Sequence, residues 1–317
     1  MPVLRVSNLS KTFSTGFWPF TKIKKYRSVD DISFFVDKGE IVGFLGPNGA
    51  GKTTTIQMLL GTLTPSNGSI YYFGFDFDKH RVDLLKKIGY ASGYDKLPAL
   101  LTVLESLDIV GRIYGMTYAK RIEQIQKLLK FFGIWELRNA LNGSLSAGQA
   151  TRVMLVKAFI ANPEIVLLDE PTASLDPDIA YEVRQFILEQ RKERNISILI
   201  TSHNMDEVTE LCDRVLVLKN GIIIENSTPK MLAQSISKVY VHLMIASDLN
   251  DFFIFLKEAS LMYTNKDSLV TIEIDEQNVA QFLADLGKRQ IMYSQISIDK
   301  PTLEDYFLSI AKTKVIL

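Results

Sequence analysis

Residues 46–53 have the amino-acid types and spacing that bind nucleotide phosphates. Their order fits G-x-x-x-x-G-K-[ST], in which glycines let backbone N–H groups turn toward an anion. Lys52 can bring a positive charge to the β- and γ-phosphates, and Thr53 can offer its hydroxyl to Mg²⁺. The nucleotide-binding residues that this loop predicts are Gly46, Pro47, Asn48, Gly49, Ala50, Gly51, Lys52, Thr53 and Thr54.

The segments on either side of the loop have the pattern that a phosphate loop requires. The apolar run at 41–45 is typical of a buried parallel strand, and 54–60 indicates a helix whose positive N-terminal end faces the loop. A glycine-rich turn can match the motif by chance, but the order of strand, loop and helix argues against that. The motif therefore indicates a nucleoside triphosphate, without showing what its hydrolysis drives.

Two adjacent carboxylates follow a second apolar run. The residues 165–168 predict another buried strand, and Asp169 and Glu170 come directly after it. An Asp-Glu pair alone is a weak signal, because most such pairs are solvated. At the carboxyl end of a strand near a phosphate loop, however, Asp169 can bind Mg²⁺ and Glu170 can stand beside the attacking water.

A second candidate anion site lies at 145–149. Ser146 and the amide of Gly148 precede a helix that we predict to begin near Ala150. In isolation, a serine–glycine turn of this kind is usually only a helix cap. Because one nucleotide has a single γ-phosphate, a second anion site suggests that a second copy of the chain takes part.

Composition limits the classes of function. Lysine and arginine number 36, as do aspartate and glutamate, so the formal net charge is zero, which argues against a nucleic-acid partner. The single cysteine, Cys212, excludes an intrachain disulfide, fits a reducing compartment and is interpreted as a small buried residue. No apolar run approaches the ~20 residues that span a bilayer. Apolar and polar residues alternate near the N-terminus as in a strand, a pattern that is not that of a signal peptide. A membrane role therefore requires a partner chain.

The length of 317 residues predicts two domains. The first, at 1–228, is an α/β domain with a parallel core sheet, an added antiparallel sheet and a helical insert at about 93–144. Within the insert, Thr102 and Glu105 form a capping-box pattern. Beyond Pro229, at 229–317, strands and helices alternate in a small α+β unit, which we interpret as a packing or dimerisation module.

The motifs taken together resemble the nucleotide-binding subunit of an ABC transporter over about residues 1–228. The shared order is the phosphate loop, the signature at 145–149, Asp169-Glu170, the segment 174–177 and the segment 201–203. The resemblance implies the ABC cassette of the P-loop NTPase fold, with ATP and Mg²⁺ as ligands. It also implies a head-to-tail dimer with a second ATPase subunit, a separate transmembrane permease, and a position at the cytoplasmic face of a membrane.

The resemblance assigns roles to further residues. Ser146 and the Gly148 amide, with Gln149 of the same motif, would contact ATP held by the other subunit. Glu170 would polarise the attacking water, and His203 would hydrogen-bond the γ-phosphate; a satisfied buried histidine is the alternative for His203. Asp176 would lie at the dimer seam.

An aromatic residue of the family stacks on adenine. We favour Phe13 for this role, and Tyr26 is the competitor because this chain has extra residues between Phe13 and the strand near Ile32.

The chain departs from the family at two places. The family's glutamine after the strand that begins the helical insert falls here on Gly93 or Tyr94, so Ser92, Asp95 or a water is expected to supply the missing Mg²⁺ contact. The insertion at 17–27 is rich in aromatic and basic residues. It either contacts a lipid surface or permease, or packs its aromatics on the sheet.

The end of the chain bears on the direction of transport. Residues 301–308 resemble a tail found on ATPase subunits of two-component exporters, which favours export. One rival is a soluble ABC-type protein acting on ribosomes or DNA, but the chain has one cassette and no room for a long coiled coil. The other rival is a regulatory subunit with low turnover, against which the intact Glu170 and His203 argue.

Overall fold

The computed structural model describes residues 2–15, 24–93, 95, 97–173, 175–246 and 249–312. The chain divides into two compact units, Met1–Thr228 and Pro229–Leu317. Ser174, Tyr94 and the greater part of the 17–27 insertion lie outside the described residues, so the interpretations attached to them stay predictions.

Strands and helices alternate along most of the first unit. Its strands are β1 (Leu4–Thr15), β2 (Lys24–Val36), β3 (Ile41–Leu45), β4 (Asn67–Tyr72), β5 (Phe75–Asp76), β6 (Ile88–Ser92), β7 (Ile165–Asp169), β8 (Ser197–Thr201), β9 (Arg214–Lys219) and β10 (Ile222–Ser227). Its helices are α1 (Lys52–Leu59), α2 (Arg81–Leu85), α3 (Val103–Ile113), α4 (Tyr118–Phe131), α5 (Ala147–Phe159), α6 (Pro177–Arg194) and α7 (Met205–Leu211). Short 3-10 turns at Trp135–Asn139 and Asn142–Ser144 connect α4 to α5.

A sheet with the strand order β10-β9-β3-β8-β7-β6 runs through the centre of this unit, as far as its residues are described. The pairs from β9 to β6 are parallel, and β10 is antiparallel to β9. Every residue of β3, β7 and β8 is buried, which for β3 and β7 is what the continuous apolar runs at 41–45 and 165–168 predicted. The carboxyl ends of β3, β7 and β8 therefore meet at one edge of the sheet.

An antiparallel sheet of order β2-β1-β4-β5 forms the second layer. Buried side chains of both sheets belong to one hydrophobic core, in which Leu4 and Val36 join Val42 and Phe44. The rings of Phe34 and Phe44 have centroids 5.6 Å apart across this core. The predicted added sheet is thus observed, and packing by the hydrophobic effect fixes it against β3.

The helical insert contains α3 and α4. The Thr102 side chain accepts from the Glu105 N–H, and the Glu105 carboxylate accepts from the Thr102 N–H, so the predicted capping box is confirmed. The helix α5 then packs on β6 so closely that a Cβ on Gly89 would lie 2.3 Å from the Ala158 carbonyl oxygen. This contact holds α5, the helix that follows the insert, on the strand β6.

The second unit is an α+β domain with its own core. Its elements are α8 (Pro229–Gln234), β11 (Lys238–Ile245), α9 (Leu249–Glu258), β12 (Met262–Lys266), β13 (Leu269–Asp275), α10 (Val279–Lys288), β14 (Tyr293–Asp299) and α11 (Leu303–Lys312). The strands form an antiparallel sheet of order β12-β13-β11-β14. Phe252 and Leu256 of α9, with Phe282 and Leu286 of α10, bury their side chains against this sheet.

No helix formed by the described residues combines the length and the apolar character that crossing a bilayer requires.

Candidate active site

The phosphate loop follows β3 and leads directly into α1. Gly46 and Gly51 have φ of +154° and +103°, conformations that favour glycine. A Cβ on Gly46 would lie 2.3 Å from the Leu218 carbonyl oxygen, and one on Gly51 would lie 2.5 Å from that of Ser28. Any larger residue would thus displace the loop from β2 and β9, so the glycines are required by both conformation and space.

Lys52 begins α1 and is buried. Its ammonium donates to the carbonyl oxygens of Gly46 at 2.5 Å and Pro47 at 3.1 Å, which holds the charge inside the curve of the loop. Burial lowers the pKa of Lys52, and the carboxylates of Glu170 and Asp169 oppose that shift. The loop and the two carboxylates predicted from distant parts of the sequence are therefore close enough to interact electrostatically.

Asp169 and Glu170 lie where β7 ends, and both are buried. The Thr201 hydroxyl donates to Asp169 Oδ1 at 2.5 Å, while the Glu170 N–H approaches the Thr201 carbonyl oxygen and Oγ at 3.1 Å each. Glu170 has φ of +54°, a conformation that costs a residue with a Cβ about 1–2 kcal/mol. The hydrogen bonds from the neighbouring strand β8 hold this strained residue in place.

His203 follows β8 and contacts Glu170. Its Nε2 atom lies 2.5 Å from Glu170 Oε1. The His203 side chain is 52% exposed, so the alternative of a satisfied buried histidine is wrong. The pair lines an open cavity of about 730 Å³ between the ends of β7 and β8 and the helices α6 and α7. A carboxylate held by an imidazole at a solvent-accessible sheet edge is suited to general-base chemistry.

The signature residues cap α5. The predicted start of this helix at Ala150 is wrong: α5 begins at Ala147, with Ser146 as its N-cap. The Ser146 hydroxyl accepts from the Gln149 N–H at 3.3 Å, and the Gln149 side chain accepts from the Ser146 N–H at 3.0 Å. This reciprocal capping box explains the earlier start, and it leaves the Gly148 amide in the first turn, where helix N–H groups can meet an anion.

Sheet order separates the signature from the phosphate loop of the same chain. The helix α5 packs on β6, whereas the phosphate loop follows β3, and β8 and β7 lie between these strands. Three strand spacings amount to about 14 Å. The signature helix and the phosphate loop of one chain are therefore attached to different strands of the central sheet.

The two aromatic candidates for adenine stacking are neighbours. Phe13 of β1 pairs directly with Tyr26 of β2, so both side chains lie on the same face of the sheet. Phe13 is 37% exposed and Tyr26 is 56% exposed. The ammonium of Lys11 lies 5.4 Å from the centroid of the Phe13 ring. The pairing therefore leaves both residues available, and the choice of Phe13 stays a prediction.

Asp176 is exposed at the N-cap of α6, directly before Pro177. Cys212 is buried at the end of α7, as expected for a small apolar residue, and burial raises the pKa of its thiol.

Sequence reasoning missed Thr201 as a hydrogen-bond partner of Asp169, although Thr201 belongs to the recognised segment 201–203. It also missed Glu207, for which the sequence contains no distinguishing signal.

Of the two residues expected at the position of the family's glutamine, Gly93 and Tyr94, the structure describes Gly93. Its N–H donates to the Asp169 carbonyl oxygen at 3.0 Å, and an added Cβ would lie 2.9 Å from the carbonyl oxygen of Glu170. Ser92 is buried and has a partner, whereas Asp95 is exposed. The negative charge of Asp95 contributes, after burial and Glu170, to the raised pKa of Asp169. Asp95 is thus close enough to influence this site.

The donor atoms at the sheet edge fit Mg²⁺. Thr53 offers a hydroxyl in the first turn of α1, and Asp169 offers a carboxylate whose pKa burial raises. Among the described residues, no group of three or more His, Cys, Asp or Glu side chains gathers as a metal site. Mg²⁺ commonly keeps several waters and binds one or two carboxylates together with substrate phosphates, so a sparse oxygen set is what this ion requires.

The sequence is similar to those of known proteins. Residues 29–173 match the family described as "ABC transporter", and 144–209 match one described as "AAA domain, putative AbiEii toxin, Type IV TA system". The bacitracin transport ATP-binding protein BcrA of Bacillus licheniformis is 33% identical over 294 residues, which cover 90% of this chain and 92% of that protein. The chain belongs to the ABC transporter ATP-binding proteins. The ABC transporter ATP-binding protein NatA of Bacillus subtilis is 37% identical over 68% of this chain and 87% of its own length.

Solved structures agree with this family. An ATP-binding subunit of an ABC transporter superposes with a TM-score of 0.65 at 25% identity, covering 80% of this chain and 99% of that one. The cbiO1 subunit from Clostridium perfringens superposes with a TM-score of 0.60 at 28% identity, over 73% and 90% of the two chains. The ABC cassette fold inferred from the motifs is thus confirmed, and the chain is an ATPase subunit that binds ATP.

Proposed function

We propose that this ABC ATPase energises an exporter by pairing with a second ATPase subunit on a separate membrane permease. The contact between Glu170 and His203, at the sheet edge that also holds Asp169 and Lys52, carries the proposal. ATP hydrolysis by water needs this arrangement, in which an exposed imidazole contacts a buried carboxylate beside a phosphate loop. Relatives support export: BcrA is a bacitracin transport protein, and the Nod factor export ATP-binding protein I of Burkholderia lata is 37% identical over 65% of this chain.

In this mechanism the phosphate loop holds ATP and the carboxylate acts on water. The amides of residues 46–53 and the Lys52 ammonium bind the β- and γ-phosphates, and Phe13 stacks on adenine. Glu170 accepts a hydrogen bond from the attacking water, while His203 orients Glu170 and contacts the γ-phosphate. No covalent intermediate is needed, because positioning and charge stabilisation carry phosphoryl transfer to water.

Mg²⁺ would be held by the Thr53 hydroxyl and the Asp169 carboxylate, since both are hard oxygen donors. When bound, it neutralises charge on the β- and γ-phosphates. Thr201 keeps the Asp169 carboxylate in position through the 2.5 Å hydrogen bond to Oδ1. Asp95 is the residue that we propose to assist at the position of the missing glutamine.

The second subunit would complete the site. Ser146, the Gly148 amide and Gln149 of one copy would contact ATP on the other copy's phosphate loop, with Asp176 at the seam. The separation of α5 from the phosphate loop across the sheet supports this exchange. Closure of the pair on ATP and its reopening after hydrolysis would drive the permease, with the ATPase at the cytoplasmic face of the membrane.

Measuring ATP hydrolysis by the purified full chain with and without Mg²⁺ tests the proposal. We expect Glu170→Gln to lower kcat at least about 100-fold while ATP binding persists, because one catalytic proton acceptor is lost. Glu225→Gln, an exposed change on β10, serves as the matched control. Undiminished hydrolysis by Glu170→Gln would rule out this assignment of the base.

Two further experiments test the partners. Co-purification from membranes with a permease chain tests the permease, and ATP-dependent dimerisation of Glu170→Gln tests the second subunit.

A further inference from the structure

Glu207 is a buried carboxylate that joins two separate segments. It lies in the first turn of α7 and is 1% exposed. Its Oε1 atom accepts a hydrogen bond from the Thr172 hydroxyl at 3.0 Å, and its Oε2 atom accepts one from the Ser202 hydroxyl. A carboxylate buried without such partners would cost several kcal/mol, so both hydroxyls must stay close to Glu207.

The two hydroxyls belong to the segments that hold the proposed reacting groups. Thr172 lies two residues after Glu170, in the segment that leads to Asp176, and Ser202 directly precedes His203. Through Glu207, Thr172 is therefore connected to Ser202. This connection is additional to the pairing of β7 with β8.

The surroundings make Glu207 a fixed point. The Asn204 side chain caps α7 by accepting from the N–H groups of Asp206 and Glu207 at 3.0 and 3.1 Å. The Asn204 N–H donates to the Ser202 hydroxyl at 3.0 Å. A charged hydrogen bond of 2.6 Å between Arg184 and Glu210 also ties α7 to α6, the helix that begins after Asp176. These contacts restrain α7 at its N-terminus and at Glu210. The helix therefore cannot rotate freely to absorb a displacement of one segment.

We propose that Glu207 is a positioning residue that couples the Asp176 segment to the His203 segment. The coupling rests on the proposed function, in which Asp176 meets the second subunit. Arrival of that subunit displaces Thr172, and the hydrogen-bonded series Thr172–Glu207–Ser202 transmits the displacement to His203. Because Glu207 is buried, it acts through its two hydroxyl partners, and in this way it sets where His203 stands relative to Glu170.

Thr172→Val tests this coupling, because it removes one hydroxyl and keeps the side-chain shape. We expect kcat for ATP to fall about 10-fold while KM changes less than about twofold, because the phosphate loop is untouched. Amide hydrogen exchange at 202–206 should rise, although the substitution lies in the other segment. Thr209→Val, on the exposed side of α7 with a hydroxyl bonded only within its helix, is the matched control.

Two Glu207 variants complete the test. Glu207→Leu should reproduce the loss in kcat, and adding Thr172→Val to it should cause little further loss. Glu207→Gln, which can still accept from one hydroxyl and donate to the other, should recover most of the rate. The coupling is wrong if Thr172→Val leaves exchange at 202–206 unchanged, or if its effect adds fully to that of Glu207→Leu. A wild-type chain without ATPase activity would contradict the proposed function instead, and the exchange comparison would still decide the coupling.

Discussion

At the scale of single residues, the site combines a strained backbone with hydrogen bonds that hold it. Glu170 has a left-handed conformation, and the neighbouring strand supplies Thr201 to its N–H and to the Asp169 carboxylate. The cost of that conformation is offset by the two hydrogen bonds that the Glu170 N–H makes with Thr201 and by the contact with His203. The carboxylate that we propose as the base is thus positioned by groups from a segment distant in sequence.

The adenine-stacking role that we propose for Phe13 can be tested against the same role for its neighbour Tyr26. We expect Phe13→Ala to raise the Kd for ATP about 3–10-fold, because an aromatic contact contributes about 0.5–1.5 kcal/mol beyond burial. Tyr26→Ala is the matched variant, since the two residues are directly paired. Fluorescent-nucleotide titration measures both affinities, and a larger loss in Tyr26→Ala would transfer the role to Tyr26.

The hypothesis for Asp95 concerns the dependence on Mg²⁺. If Asp95 assists the metal, Asp95→Asn should raise the Mg²⁺ concentration needed for half-maximal ATPase about 5-fold or more, because a charged oxygen donor is lost. Asp83→Asn, on an exposed aspartate of α2, is the control. An unchanged Mg²⁺ requirement for Asp95→Asn would favour a water at the position of the missing glutamine.

Glu207 predicts a pH dependence of stability. Burial raises the pKa of its carboxyl above the ordinary 4.5, although hydrogen bonds from Ser202 and Thr172 and the charge of Arg184 oppose the shift, and Glu210 adds to it. The folded state therefore binds this proton more tightly than the unfolded chain, and stability falls as pH rises from 4.5 through the raised value. Glu207→Gln cannot ionise. Its melting temperature relative to wild type should thus be higher at about pH 7.5 than at about pH 5.

Thermal unfolding at the two pH values checks this prediction. Glu225→Gln removes an exposed carboxylate and controls for the change in net charge. A difference between Glu207→Gln and wild type that is constant with pH would contradict the assigned cause.

At the scale of elements, the same capping device occurs at two helices with different expected roles. Thr102 with Glu105 caps α3, and Ser146 with Gln149 caps α5. Both satisfy N–H groups that the helix leaves without an internal partner. Only the cap of α5 belongs to the signature, so the chain contains its own control for separating stability from function.

We expect Thr102→Ala and Ser146→Ala each to lower the free energy of unfolding by about 1 kcal/mol. In a unit of this size, the corresponding loss in melting temperature is about 2–4 °C. Only Ser146→Ala should also lower kcat/KM for ATP, by about 10-fold or more, because its hydroxyl would contact the partner's nucleotide. Calorimetry and ATPase assays check both values, and equal ATPase rates for the two variants would refute the role of Ser146.

At the scale of the whole molecule, each of the two units has its own hydrophobic core. The first core joins the antiparallel sheet to the central sheet, and the second encloses β11 and β13 with α9 and α10. Every residue proposed to bind ATP or Mg²⁺ belongs to the first unit. The second unit has a sheet whose edge strand β14 is exposed along its whole length.

We therefore expect the fragment 1–228 to bind ATP with a Kd within about threefold of that of the full chain. The fragment 229–317 should unfold cooperatively on its own, because its core is internal. Nucleotide titration and circular dichroism of the two fragments measure these properties. Failure of the first fragment to fold would show that the boundary at Pro229 is misplaced.

The sequence alone determined the chemistry of the loop at 46–53, the order of the motifs, and most buried strands. Local patterns suffice there, because the spacing of glycine, lysine and hydroxyl is fixed by the phosphate, and a buried parallel strand must be continuously apolar. The short or polar strands β5, β10 and β12 were not predicted, because their side chains are largely exposed and their sequences have little hydrophobic periodicity.

Only the tertiary structure decided which distant residues meet. The pairing of β7 with β8 brings Glu170 to His203, the pairing of β1 with β2 sets Phe13 beside Tyr26, and the first turn of α7 places Glu207 between two segments. Strand order and register arise from packing of whole elements, which local sequence does not encode.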